Sequence, residues 1–137
     1  MLNIEIKTLP HKDQNYNTVG DHWKEGEKRV VVVSDLGNWK YELLIAFHEV
    51  VEQSLCDAKG IDEKKLHEFD KKFQGTRSKG EPLEPGDDLA APYHKEHITA
   101  TSFERQMADA LGVDWLEYND FINNLYAKAI KDKTFDK

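Results

Sequence analysis

The sequence predicts an α+β fold, a small β-sheet packed with about four helices. Three observations carry this. Val30-Val31-Val32-Val33 is β-branched at every position, as in a strand covered on both faces. Four later stretches repeat apolar residues at helical spacing, with capping residues or glycines at their ends. The chain has 137 residues, the size of one domain. At that length a fold buries roughly two-thirds of the unfolded surface, enough for one core, so residues 1–137 are read as a single domain.

Leu2, Ile4 and Ile6 alternate with polar residues and predict a short half-buried strand. From Lys7 to Lys28 the chain is polar, with Pro10, Gly20 and Gly26, and reads as a long loop or irregular hairpin anchored by Tyr16 and Trp23. Arg29 to Ser34 is the valine strand. Ser34-Asp35-Leu36-Gly37 turns the chain, and Asn38 caps a helix from about Trp39 to about Lys59 that Gly60 ends. Asp62 caps a second helix reaching about Phe73. Residues 74–92 hold Gly75, Gly80, Gly86, Pro82, Pro85 and Pro92, a loop long enough to mark function or mobility. A third helix runs from about Glu96 to Leu111 and stops at Gly112. Asp114-Trp115-Leu116-Glu117 opens a fourth, with Trp115, Tyr118, Ile122, Leu125, Tyr126 and Ala129 on one face. The charged tail, residues 130–137, is expected to fray.

Composition excludes several classes of function. The net charge is −7, with 26 acidic and 19 basic residues and no Lys/Arg block, which argues against a nucleic-acid backbone as ligand. The apolar runs are too short to span a membrane, and the N-terminus lacks the apolar core of a signal peptide. Cys56 is the only cysteine, on the apolar side of its helix, which suits a buried small hydrophobe in a reducing compartment and a cytoplasmic location.

Leu44-Ile45-Ala46-Phe47-His48-Glu49-Val50-Val51-Glu52 is the most informative stretch. At about 100° per residue, His48 and Glu52 lie one turn apart on the same side as Leu44, Ile45, Val51 and Leu55. A buried charge there costs several kcal/mol unless it is paired, and a metal cation is one such partner. His48-Glu49-x-x-Glu52 also reads as the zincin helix pattern His-Glu-x-x-His with the second histidine replaced. In that reading His48 and Glu52 ligate zinc or another divalent transition metal, and Glu49, on the helix flank, is the general base. A hydrogen-bonded His–Glu pair without metal is the plainer alternative.

Other metal-ligating side chains also lie in apolar settings. Asp70 lies angularly between Leu66 and Phe73 on the second helix, as a ligand or as the acceptor for the second ring nitrogen of His48. His97 and Glu104 are seven residues apart on the third helix, nearly superposed at the edge of the apolar face formed by Ala100, Phe103, Met107 and Leu111. His97 is the preferred third ligand, and Glu104 is a further ligand or the carboxylate holding His97. His94 is the rival to His97. Asp87-Asp88 suits a hard cation but lacks calcium-loop spacing.

Gly20-Asp21-x-Trp23, Val30–Ser34, the helix motif, Phe69-Asp70, Pro85-Gly86-Asp87-Asp88, Ala91-Pro92-Tyr93, Glu96-His97 and Gly112-Val113-Asp114-Trp115 follow one another in an order that resembles a group of uncharacterised phage and prophage proteins. The resemblance implies a phage or prophage origin and favours His97 over His94; it implies no reaction. Three functions compete. The first is a zincin-like metal-dependent hydrolase, a peptidase using a metal-bound water, with the valine strand pairing an extended peptide. The second is a non-enzymatic phage accessory protein with a protein partner, whose cluster is a structural metal site or a buried His–Glu network. The third is an all-helical carboxylate site acting on nucleotides, pairing Glu49-x-x-Glu52 with Glu117 and Asp120.

Overall fold

The computed structural model describes residues 1–76 and 84–136. It is an α+β fold with a three-stranded sheet and four helices, as the composition of its elements predicts. The strands are β1 (Ile4–Leu9), β2 (Gly20–Glu25) and β3 (Lys28–Ser34), in the order β1-β3-β2. β3 is central: it runs parallel to β1 and antiparallel to β2. Its four valines are at most 1% exposed, which explains a strand without alternation.

The segment expected to be a loop or irregular hairpin contains β2. Its two-residue connection, Gly26-Glu27, has Gly26 at φ +65°, the backbone a tight hairpin needs at its first loop position. β1 also differs from expectation. Leu2 lies outside the strand and is 73% exposed, and Ile6 is 53% exposed. The helix layer packs on β2 and β3, so this edge strand keeps an uncovered face.

The helices are α1 (Trp39–Ala58), α2 (Glu63–Thr76), α3 (His94–Leu111) and α4 (Trp115–Lys131). Asn38 Oδ1 accepts from the Lys40 and Tyr41 amides, Asp62 Oδ1 from the Lys64 amide and Asp114 Oδ1 from the Glu117 amide, so all three predicted caps operate. α2 runs three residues past the expected end at Phe73, and α3 opens two residues before Glu96. Of the expected long loop, residues 77–83 lie outside the described residues; Pro85–Asp87 form a single 3-10 turn. After α4 the chain turns, and the Phe135 ring meets His11 edge-on at 5.4 Å.

α1 is the hub, packed against β2, β3 and α3. Leu44, Ile45 and Ala46 at its N-terminal half join Val31, Val33, Tyr118, Ile122 and Tyr126 in the main core. Cys56 at its other end joins Leu66, Ala91 and Tyr93 in a second cluster. Between them the buried face of α1 is polar: His48, Glu49, Glu52 and Gln53. No described helix is long and apolar enough to cross a membrane.

Candidate metal centre

Register places the first residues of the site. Gly20 pairs with Val33 and His22 with Val31, so Gly20 and His22 share the sheet face that carries Val31 and Val33 into the core under α1. At Gly20 the helix comes so close that a Cβ would stand 2.7 Å from Ile45 Cγ2 and 2.9 Å from Glu49 Cγ. That approach lets His22 reach α1: its Nε2 lies 3.1 Å from Glu52 Oε1.

Across the helix, α3 delivers His97 from its first turn. His97 Nδ1 lies 2.9 Å from Glu52 Oε2, His48 Nε2 lies 3.1 Å from the same oxygen, and the two ring nitrogens are 3.2 Å apart. Zinc bonds of about 2.0–2.1 Å at tetrahedral angles set ligand atoms roughly 3.3 Å apart, so this triangle is close to the face of a zinc tetrahedron. If both rings were protonated, two N–H groups would oppose each other across it. One cation in place of those protons removes the conflict and fits the donor set.

Each of these histidines is fixed from behind by a carboxylate. His48 Nδ1 lies 2.7 Å from Glu104 Oε1, and Glu104 Oε2 accepts from Tyr118 OH at 2.6 Å. His97 Nε2 lies 3.0 Å from Asp87 Oδ1, while Asp87 Oδ2 accepts from the Glu84 amide. A carboxylate behind the imidazole is the usual support of a metal-ligating histidine. Two sequence assignments are corrected here. Glu104 holds His48 rather than His97, because α3 crosses α1 with residue 104 opposite residue 48. Asp70 holds neither ring of the triangle: it accepts from Tyr93 OH and, at 3.4 Å, from Tyr16 OH. α2 carries Asp70 against Tyr93. His94 is half-buried and bonds the Gly86 carbonyl at 2.9 Å, away from the triangle.

Glu49 is 7% exposed, not on a solvated flank, and its Oε2 lies 3.8 Å from His48 Nε2. Burial, then the charge of Glu52, push its carboxyl up to about 8. Burial disfavours the charged form of each histidine, but acceptors outweigh it. Glu52 and neighbouring charges lift His22 to about 9, and Asp87 with Glu52 lifts His97 to about 10. His48 is raised well above its ordinary value by Glu104 and Glu52 against the same burial. Glu52 is driven well below the usual carboxylate range: the histidine hydrogen bonds outweigh its burial. Burial raises Asp70 to about 7 and Cys56 to about 12, the latter in keeping with a buried, unreactive thiol.

All of these groups except Cys56 line a cavity of about 330 Å³. Within it, His48, Glu52 and His97 form one group of convergent ligand atoms, and His22, Glu49 and Glu52 form a second. Sequence reasoning missed His22 and the role of Asp87. The expected nucleotide site does not form: Glu117 and Asp120 are exposed on α4, in a fold with a sheet. The expected pairing of a peptide with the valine strand is also overturned, because β3 is paired on both sides. The outer edge of β2 is occupied too, since His67 Nε2 bonds the His22 carbonyl and Glu63 accepts from the Lys24 amide. No family model, curated protein or solved structure matches this chain.

Gly86 makes the position of His97 testable. A Cβ there would stand 2.5 Å from His97 Nδ1. Gly86→Ala is expected to displace the ring, destabilise the protein by about 1–3 kcal/mol and weaken zinc binding at least tenfold, read by chelator competition. Unchanged affinity would place His97 outside the ligand set.

Proposed function

We propose that this chain is a metal-binding protein that uses a divalent transition ion, zinc foremost, for hydrolysis. His48, Glu52 and His97 are its ligands and Glu49 its proton acceptor. The observation that supports this reading is the triangle of His48 Nε2, Glu52 Oε2 and His97 Nδ1 with sides of 2.9–3.2 Å, backed by carboxylates on both rings. A bound ion supplies Lewis acidity and lowers the pKa of water. Glu49, raised to about 8 by burial and by Glu52, takes up and returns a proton near neutral pH. The occupied edge of β2 argues against substrate binding by strand addition, so the substrate is a small molecule, or a side group of a larger one, that fits the cavity. The likeness to the zincin pattern is confined to the helix motif, and Glu52 in place of a histidine weakens the Lewis acid. The lone cysteine supports a cytoplasmic location.

A second reading, a phage accessory protein with a structural metal site, is favoured by Trp39 and Leu116, which are 64% and 74% exposed and suit a protein partner. Metal content by mass spectrometry, in wild type beside His48→Ala and His97→Ala, tests the shared premise. At least one equivalent of metal is expected in wild type and one fewer in each variant; a metal-free wild type after incubation with zinc, manganese and iron(II) overturns the premise. Hydrolysis of activated ester and phosphodiester substrates then separates the readings. Glu49→Gln is expected to lower turnover by roughly 10²–10⁴-fold, whereas absence of turnover in the metal-loaded wild type favours the accessory protein.

A further inference from the structure

We infer that the cavity has a second divalent metal position, formed by His22, Glu49 and Glu52, so that Glu52 bridges two ions. The inference rests on the metal-binding reading above and extends it from one ion to a pair.

Glu52 carries the argument through its two oxygens. Oε2 faces His48 and His97 at 3.1 and 2.9 Å; Oε1 faces the other way, to His22 at 3.1 Å. A carboxylate that turns one oxygen to each of two ligand sets is placed to bridge ions roughly 3.5–4 Å apart, the spacing of two-metal hydrolytic sites. The second set is complete in kind, one imidazole and two carboxylates, all buried, with ligand atoms within 4.8 Å of one another.

Independent observations point the same way. His22 Nδ1 is buried and has no hydrogen-bond partner among the described residues. Buried polar atoms are almost always paired, so this nitrogen calls for a partner such as an ion or a water. The face of β2 turned toward α1 presents Gly20 and His22, where an apolar residue would pack better, and the missing Cβ at Gly20 is what admits Glu49. The donor set agrees as well: Asp21, Glu49, Glu52, Asp70 and Glu104 are buried carboxylates lining one cavity. That is a larger set of oxygen donors than one ion can use. Mixed imidazole and carboxylate donors suit zinc, manganese or iron(II). In this arrangement one oxygen of Glu49 ligates the second ion, and the other remains available to take a proton.

The test is zinc stoichiometry by native mass spectrometry on the full chain, with circular dichroism as a check on folding. Two equivalents are expected in wild type, one in His22→Gln, whose amide keeps a hydrogen bond to Glu52, and none in Glu52→Gln. A single equivalent in wild type, unchanged in His22→Gln, overturns the second position while leaving the first. A metal-free wild type overturns both. Wild type loaded with manganese(II) gives a reading that needs no variant. An exchange-coupled paramagnetic resonance spectrum is expected, and the six-line spectrum of isolated ions would overturn the bridge.

Discussion

Glu52→Ala is expected to abolish metal binding and to cost about 3–5 kcal/mol of stability at neutral pH, the loss typical of breaking a buried charged cluster from one side. Glu52 is 5% exposed and is the shared acceptor for His22, His48 and His97. Its removal strands three buried rings together and leaves Glu104 and Asp87 to hold two of them alone. The cavity it leaves adds to the loss. Glu52→Gln separates charge from shape: the amide fills the space and still meets a ring nitrogen, so it should retain more stability while still losing the metal. Urea denaturation of both variants measures the difference. A loss below about 1 kcal/mol for the alanine variant would mean that the cluster is solvated and that its buried geometry contributes little.

The helical half of the site was legible because it depends on period. Residues four apart share a helix face, so His48 and Glu52 could be paired from the sequence, and His97 could be placed at the edge of the apolar face of α3. What the period does not encode is which residue of one helix stands opposite which residue of the next. His97 and Glu104 superpose along α3, which suggested that they bond each other. The crossing with α1 instead sends Glu104 to His48 and leaves His97 to Asp87 from the 3-10 turn. Cap residues were readable for a related reason: Asn38 and Asp114 act on amides two or three residues away.

β2 was hidden because its inward face carries Gly20 and His22 rather than apolar residues, so no alternation of hydrophobicity betrays it. The available signal was Gly26-Glu27, two residues ahead of the valine run, a hairpin connection that places a strand before it. Missing β2 also meant missing His22. Local rules fail here because the inward positions of β2 carry a glycine and a histidine, which give no period-2 hydrophobic signal.

Chelation should destabilise the protein strongly at pH 8 and little at pH 5.5. In the metal-free protein His22, His97 and Glu49 titrate near 9, 10 and 8, and His48 also lies well above its ordinary value. Folding therefore tightens proton binding at all four. The stability they contribute is fully present below about 6.5 for the histidines and below about 4.5 for Glu49, and is lost as the pH rises through about 8 to 10. Glu52 acts oppositely: its lowered pKa contributes stability above the ordinary glutamate range, which is lost as acid protonates it. Glu49 and Glu52 oppose each other about the ordinary glutamate value, so the metal-free protein is expected to be most stable near pH 4.5. A metal ion takes the place of the same protons, so its affinity rises with pH as theirs weakens. At a thousandfold excess over the dissociation constant, binding stabilises by about 4 kcal/mol, or roughly 10–15 °C in melting temperature for a domain of this size. Thermal melts with zinc or with chelator at the two pH values make the comparison. Equal zinc-induced shifts at both would show that the ion does not replace protons in the cluster, and therefore does not bind at His48, Glu52 and His97.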